Sequence, residues 1–321
     1  MFPNTHFAKA SKYWYQGKIY DWSEAVVHPM VHALHYGTSV FEGIRAYAAD
    51  RGPAVFRLTE HIDRLLVSAE VCRMDHAYGR DEVIDIVKLV MRENAMQSAY
   101  IRPLLFYSYG NLGLYPKFCP VDLLVGTWEW GAYLGDKAEK GVSVCVIPQR
   151  RVHRSQLDMR AKLGGVYVQS TICGIDARKA GFDEAVFLNM EGRVAEGPGE
   201  NIFLVKDGVF HTNDGTESIL EGITRTSILK ILGDLGHKTR IAPFTIEDLV
   251  TADEVFFTGT AVEVTPVVKI TDTSTPGAPA REFTIGEGTP GPRTLEVSQV
   301  YREVVTGKRP EYENWLTYID A

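Results

Sequence analysis

An α+β protein of two domains is what the sequence predicts, on three observations. The 321 residues are 45% hydrophobic and 23% charged, enough apolar material for a sizeable core at the ordinary charge content of a globular chain. The first half alternates strand-like runs with helical periodicity, whereas the second is rich in closely spaced hairpins. Between them, in WGAYLGDKAEKG, glycine and charge displace the apolar pattern. The boundary is placed there, giving 1–134 as a smaller N-terminal domain and 135–321 as a larger C-terminal one.

The elements follow in order. A short strand region from Tyr13 to Tyr20 holds the turn Gln16-Gly17-Lys18 at its centre. In TEHIDRLLVSAEVC, Thr59 serves as the cap, and Ile62, Leu65, Leu66, Ala69 and Cys72 fall at helical spacing on one face. In RDEVIDIVKLVMREN, Asp81 is the cap and Val83, Val87, Val90 and Met91 repeat that pattern. The strands YIRPLLFYSYG and VDLLVGTWEW come next. Pro103 confines the first to an edge or a bulge, because proline cannot donate to a ladder. The β-branched run VSVCVIP opens the second half. Two hairpins follow, DEAVFLNMEGRVAEG turning at Asn189 to Gly192 and NIFLVKDGVFHT turning at Asp207-Gly208, and they point to a mostly antiparallel sheet. The amphipathic helices TRTSILKILGDLG, ending at Gly236, and PRTLEVSQVYREVV would cover it. No internal repeat is visible, and only Ser274 to Pro279 reads as a flexible loop.

A formal charge of -7 and a pI near 5.8 argue against a nucleic-acid binder, which needs a basic stripe to gain from counterion release. No run approaches the roughly 20 apolar residues of a membrane span, and the first residues lack the charged-then-apolar order of a signal peptide. A cytoplasmic protein is expected. Cys72, Cys119, Cys145 and Cys173 are widely separated, with no CxxC pair, and read as small buried hydrophobes rather than metal ligands.

Taken from the residues alone, three places offer anion binding. In SILEGITRTSILKIL a glycine, Gly222, precedes a helix start, so the free N–H groups of Ile223 and Thr224, with the Thr224 hydroxyl, form one cradle. In FFTGTAVEVTP a strand breaks at Gly259-Thr260, giving a hydroxyl and backbone donors. Arg57, closing the apolar strand AVFR, supplies a cation. Lys162 lies in MRAKLGGVY, where two glycines permit close approach of backbone and ligand. Glu196 and Glu200 lie on the glycine-rich bend RVAEGPGEN. Composition and spacing stop at a two-domain α+β protein with phosphate-site candidates.

Seven ordered segments carry the chain further: MVHALHYGTSVFEGIRAY, SAYIRPL, WGAYLG, AKLGGVY, RVAEGPGENIFLVKDGV, ILEGITR and DEVFFTGTAVEVTPV. In type and order they resemble the branched-chain aminotransferases, and the likeness extends over essentially the whole chain. It implies the two-domain class IV aminotransferase fold (fold type IV of the pyridoxal-phosphate enzymes) and pyridoxal 5'-phosphate as cofactor. Lys162 would carry the cofactor, and Glu196 would be the partner of its ring nitrogen, keeping it protonated so that the ring accepts electrons. The family pattern assigns Arg57, Gly222, Ile223, Thr224, Gly259 and Thr260 to the phosphate, and Tyr167 to the phenolic oxygen. Tyr100 with the Gly259-Thr260-Ala261 turn would hold the substrate α-carboxylate, while Tyr36, Phe41, Trp130 and Tyr133 would line the side-chain cavity. Arg102 would pair with the distal carboxylate of glutamate.

The implied reaction moves an amino group from leucine, isoleucine or valine to 2-oxoglutarate, with Lys162 shuttling the Cα proton. The implied working unit is at least a homodimer, the segment of His35 and Tyr36 reaching the neighbouring subunit's pocket. Val166 and Pro198 depart from the pattern, standing where asparagine and a small residue are usual. D-amino acid aminotransferase, (R)-amine aminotransferase and aminodeoxychorismate lyase share Lys162 and Glu196 and stay open as alternatives, as does a non-catalytic phosphate-ligand binder. HYGTSVFEGIR and YIRP favour the branched-chain type.

Overall fold

The computed structural model describes residues 7–24, 27–131 and 140–320. The chain packs as two compact units, one made of Met1–Gly131, Ala161–Gly165 and Glu303–Ala321, the other of Ala132–Arg160 and Val166–Arg302.

The first unit opens with a hairpin, β1 (Lys12–Tyr15) and β2 (Lys18–Asp21), whose turn holds Gln16 and Gly17 at φ of 47° and 83°. Two successive left-handed residues match the right-handed twist of a tight hairpin. Helix α1 (His32–Tyr36) then leads into β3 (Ser39–Phe41), β4 (Ile44–Ala49) and β5 (Gly52–Phe56). Next come helices α2 (Leu58–Val71) and α3 (Arg80–Glu93), with Ile62, Leu65, Ala69, Val83, Val87, Val90 and Met91 all buried on their apolar faces. Neither cap is the one the sequence suggests. The chain enters α2 through Arg57, in the left-handed region at φ 51°, so Thr59 falls inside the first turn. It enters α3 through Gly79, whose N–H donates to the Glu82 carboxylate, and Asp81 instead faces the positive end of the helix from within its first turn.

Strands β6 (Ala99–Tyr107) and β7 (Val121–Trp128) complete the sheet, together with the C-terminal strand Leu316–Tyr318 paired to β5. Pro103 does not put β6 on an edge, since β6 lies between β7 and the pair β3 and β4. The reason is local. On the second side β4 pairs with Ala99 to Ile101 and β3 with Leu104 to Phe106, so Pro103 faces the break between the two neighbours. Only its carbonyl is needed there, and it accepts the Glu42 N–H at 3.0 Å.

The second unit holds β8 (Val142–Arg150), α4 (Tyr167–Lys179), β9 (Glu184–Leu188), β10 (Asn201–Lys206), β11 (Val209–Thr212), α5 (Ile223–Asp234) and β12 (Lys238–Ile241). The short helix α6 (Ile246–Val250), strands β13 (Glu254–Gly259), β14 (Glu263–Asp272) and β15 (Arg281–Thr284), and α7 (Pro292–Val305) follow. Both expected hairpin turns form, with Asp207 and Gly208 at φ of 49° and 74° and Asn189 closing on Arg193. The sheet is antiparallel through β11, β10, β13, β14 and β15. It is parallel at β11 with β12, β14 with β8 and β8 with β9, which the hairpin reading did not anticipate. Two of these pairings have a helix in the connection, α5 between β11 and β12 and α4 between β8 and β9, as parallel neighbours require. Helix α4 escaped the sequence reading because its apolar residues face both ways: it buries Ser170, Cys173, Gly174 and Ala177 but exposes Val168, Ile172 and Ile175. Val144, Val186, Ile202, Leu204, Phe257 and Ile270 form the core beneath.

Candidate active site

In the first unit the site is built on the segment Ala161–Gly165, which lies against β3. Leu163 bridges Val40, the Lys162 carbonyl accepts the Phe41 N–H at 3.2 Å, and the Lys162 N–H donates to the Ser68 hydroxyl of α2 at 2.9 Å. Here glycine is required for backbone approach. A Cβ on Gly164 would stand 2.2 Å from the Ser39 hydroxyl, and one on Gly37 would stand 3.1 Å from the Gly165 Cα. With its backbone held on both sides, Lys162 places Nζ 5.0 Å from the centre of the Phe41 ring.

Arg102 approaches the same ring, its guanidinium carbon 4.6 Å from the centre, and also lies over Tyr100 and Trp128 at 5.5 and 6.0 Å. It donates to the Tyr100 hydroxyl over a long 3.4 Å, while its Nε is buried without an acceptor. Tyr100 and Arg102 are two apart on β6 and so share a face. Trp130 meets the Tyr100 ring edge-on at 4.6 Å, and its carbonyl accepts from Arg45 at 2.8 Å. Phe41, Tyr100, Arg102, Trp130 and Lys162 therefore form one aromatic-walled group. Arg57 stands at the start of α2, its guanidinium over the Trp315 ring at 4.6 Å and paired with Glu60 at 2.5 Å. Tyr36 is apart from these, 44% exposed, its hydroxyl donating to the Leu112 carbonyl at 2.6 Å. Tyr133 lies outside the described residues.

In the second unit Glu196 is buried and its carboxylate is fully engaged. One oxygen accepts Arg151 Nε at 2.8 Å; the other accepts the Leu220 N–H at 3.1 Å and Asn201 Nδ2 at 3.4 Å. Arg151 in turn donates to Ser170 on α4, the helix that Tyr167 begins, at 3.1 Å. Asn201 continues the chain of bonds, donating to the Leu220 carbonyl at 2.8 Å and accepting the Gly222 N–H at 2.9 Å. That fixes the entry of α5. Gly222 caps it without a side chain, and a Cβ there would stand 2.3 Å from Asn201 Oδ1. The first-turn amides of Ile223 and Thr224 have no partner inside the helix, as in any helix start, and the buried Thr224 hydroxyl lies beside them. Gly259-Thr260-Ala261 forms the turn between β13 and β14. Glu200 is also buried; burial first, then the charges of Glu184 and Glu196, push its carboxyl up to about 8.

This donor set suits a phosphorylated, anionic ring compound: uncapped helix amides with a hydroxyl for a phosphate, and a carboxylate that Arg151 keeps ionised for a protonated ring nitrogen. Comparison with known proteins agrees. Residues 39–270 match the model of the amino-transferase class IV family. The chain belongs to the class IV aminotransferases. It is 40% identical to the branched-chain-amino-acid aminotransferase of Pseudomonas aeruginosa over 307 residues, covering 95% of this chain and 96% of that one. It is 40% identical to that of Escherichia coli K12 over 314 residues, 97% and 98% of the two chains. Among solved structures it superposes on the branched-chain amino acid aminotransferase of Escherichia coli at a TM-score of 0.91, with 39% identity over 97% of this chain and 99% of that chain. The branched-chain aminotransferase of the thermophilic archaeon Thermoproteus uzoniensis, solved with norvaline, gives a TM-score of 0.87 at 38% identity, with the same coverage of both chains. Two further solved branched-chain amino acid aminotransferases, one with pyridoxamine 5'-phosphate and one complexed with N-(5'-phosphopyridoxyl)-L-glutamate, superpose at TM-scores of 0.90 and 0.88 with 44% and 43% identity.

Several residues that build the class IV site were not singled out from the sequence. Gly43 is needed because Tyr100 lies on it: a Cβ would stand 1.9 Å from the Tyr100 hydroxyl. Arg151, Asn201 and Ser68 hold Glu196, the α5 entry and Lys162 respectively. The segment FEGIR did contain Gly43, but nothing in its spacing says which side chain crosses the glycine.

Proposed function

We propose that this chain catalyses transamination of L-branched-chain amino acids with 2-oxoglutarate, giving branched 2-oxo acids and glutamate. The observation that carries the reading is the grouping of Lys162 Nζ and the Arg102 guanidinium around one apolar ring, Phe41, at 5.0 and 4.6 Å. An aliphatic side chain packs on the aromatic wall, and a distal carboxylate finds the unfilled donors of Arg102.

Pyridoxal 5'-phosphate is the cofactor, and when bound it supplies an electron sink that makes the substrate Cα–H acidic. Lys162 carries it. Once the substrate amine has taken its place, the Lys162 amine is free to remove the Cα proton and hold it at Nζ. Glu196, kept anionic by Arg151 and the Leu220 amide, holds the proton on the ring nitrogen. Ile223, Thr224, Thr260 and Arg57 hold the phosphate, with Gly222 and Gly259 giving close backbone approach, and Tyr167 donates to the phenolic oxygen. Tyr100 and the Thr260-Ala261 turn hold the α-carboxylate; Phe41, Trp130, Tyr133 and Tyr36 line the cavity. The amino group leaves one substrate and appears on the next, so no net oxidant is needed.

The working unit is a homodimer, to which His35 and Tyr36 contribute across the interface. Its support is large apolar side chains left exposed in both units, Leu114 at 84%, Tyr115 at 75% and Phe118 at 71% in the first and Val168 at 60% in the second. Among the described residues no helix is long and apolar enough to cross a membrane. The place of action is the cytoplasm. A donor panel with 2-oxoglutarate tests the reading: turnover of L-leucine, L-isoleucine and L-valine well above D-alanine and (R)-amines is expected. Preference for D-alanine or an amine would move the assignment to another class IV activity. An active species sedimenting as one 35.8 kDa chain would remove the dimer.

A further inference from the structure

Three polar side chains on one face of α2 take no part in the chemistry above. His61, Arg64 and Ser68 project at spacings of three and four. His61 and Arg64 converge on Glu42, whose side chain is wholly enclosed. The carboxylate accepts a fork from Arg64, Nε at 2.6 Å and Nη2 at 2.8 Å, and the Nδ1–H of His61 at 2.8 Å. Ser68 donates to the Arg64 carbonyl at 2.7 Å and accepts the Lys162 amide at 2.9 Å. Phe41, immediately before Glu42, donates its N–H to the Lys162 carbonyl at 3.2 Å. Both backbone polar groups of Lys162 thus end on partners that this helix face fixes, the amide on Ser68 and the carbonyl on the residue next to Glu42.

We propose that Glu42, His61, Arg64 and Ser68 form a buried anchor of zero net charge that positions Lys162 and shields its amine from an unbalanced field. They are positioning residues and touch neither substrate nor cofactor. The inference rests on Lys162 being the lysine that carries the cofactor.

The protonation states follow from the surroundings. Burial alone would raise the Glu42 carboxyl, but Arg64 and then His61 more than offset it and hold it well below the usual carboxylate range. Burial first, with the cations of Arg64 and Lys162, pushes the His61 imidazole down against the pull of Glu42. The anchor therefore holds one anion, one cation and a neutral imidazole. The influence of Lys162 on His61 shows that the lysine and the anchor feel each other's charge. The other charged or titratable groups of this unit near Lys162 are Arg102 and Tyr100 on β6 and Arg57 at the start of α2, all unchanged in the variants below.

The test uses holoenzyme and the pH titration of the cofactor absorbance band, whose midpoint reports the proton on the Lys162 nitrogen. Glu42→Gln leaves the guanidinium of Arg64, which cannot lose its proton, uncompensated. The midpoint should fall by about one pH unit, the size expected for one unbalanced charge at an effective dielectric near ~20. The double variant Glu42→Gln/Arg64→Met, again neutral, should return to within about 0.3 unit of wild type, a reversal that a packing defect does not produce. Ser68→Ala should leave the midpoint in place but speed amide hydrogen exchange in residues 161–165 by roughly tenfold, and Ser68→Thr should restore protection. An unmoved midpoint in Glu42→Gln, or a double variant displaced further than the single, would overturn the proposal. Should Glu42→Gln not fold, unchanged exchange in Ser68→Ala would do so. A Lys162→Ala protein that keeps the band would instead sink the reading of Lys162 and leave the anchor geometry untouched.

Discussion

Replacing Arg102 by leucine should separate the two substrates of one pocket. The guanidinium lies over Phe41 at 4.6 Å, Tyr100 at 5.5 Å and Trp128 at 6.0 Å, so water is largely excluded from its faces. Its Nε is buried without an acceptor, and its one bond inside the protein, to the Tyr100 hydroxyl, is long at 3.4 Å. A carboxylate arriving there completes charge-assisted bonds in a low dielectric, worth about 2–3 kcal/mol when one partner is removed. That is a loss of roughly 30- to 150-fold. Leucine has no group to pair with Arg102, and a leucine at position 102 keeps the wall apolar, so its rate should stay within a few-fold of wild type. The two half-reactions, leucine with the aldehyde form and 2-oxoglutarate with the amine form, are followed separately by cofactor absorbance in Arg102→Leu. Equal losses in kcat/KM for both would refute the reasoning and make Arg102 a partner of the α-carboxylate or a mere support.

Gly43→Ala should weaken both half-reactions together by about tenfold or more, because a Cβ 1.9 Å from the Tyr100 hydroxyl displaces the side chain that serves every substrate; steady-state kcat/KM with each donor checks it. Lys162→Ala should abolish both the cofactor absorbance shift and turnover, and activity near wild type would rule out the lysine's role. Glu200 gives a pH prediction. Its carboxyl is raised from 4.5 to about 8 by burial and then by Glu184 and Glu196, so the folded chain retains a proton that the unfolded chain releases. The stability is fully present below the usual carboxyl range and is lost as pH rises through about 8, so Tm should fall between about pH 5 and 8. In Glu200→Gln that part of the fall should vanish, and an unchanged slope would show Glu200 ionised in the fold.

Strands, hairpins and the main helices were legible because their signals are local: Asp207-Gly208 and Gln16-Gly17 need left-handed backbone, and Ile62, Leu65 and Ala69 repeat at helical spacing. Pro103 misled because a proline's place in a sheet depends on which neighbour its missing N–H faces, and the break between β3 and β4 is a tertiary fact. Helix α4 was hidden because it leaves Val168, Ile172 and Ile175 exposed while burying small residues. The site shows the same division. The uncapped α5 entry at Gly222-Ile223-Thr224 could be read as an anion cradle from spacing alone, whereas Lys162 was one among 34 basic residues until its neighbours in AKLGGVY gave a resemblance. The pairing of Arg151 with Glu196 across 45 residues, and of Glu42 with His61 and Arg64, has no local signature, since it requires the sheet and helix to bring the charges together.

The central claim is that one protein carries an amino group between two substrates through a cofactor held on Lys162. Purified holoenzyme mixed with L-leucine alone should lose the absorbance of its aldehyde form in a single turnover and release one equivalent of 2-oxo acid; adding 2-oxoglutarate should then restore the absorbance and release glutamate. Continuous 2-oxo acid release from leucine without an acceptor, or an absorbance that leucine leaves unchanged, would contradict it.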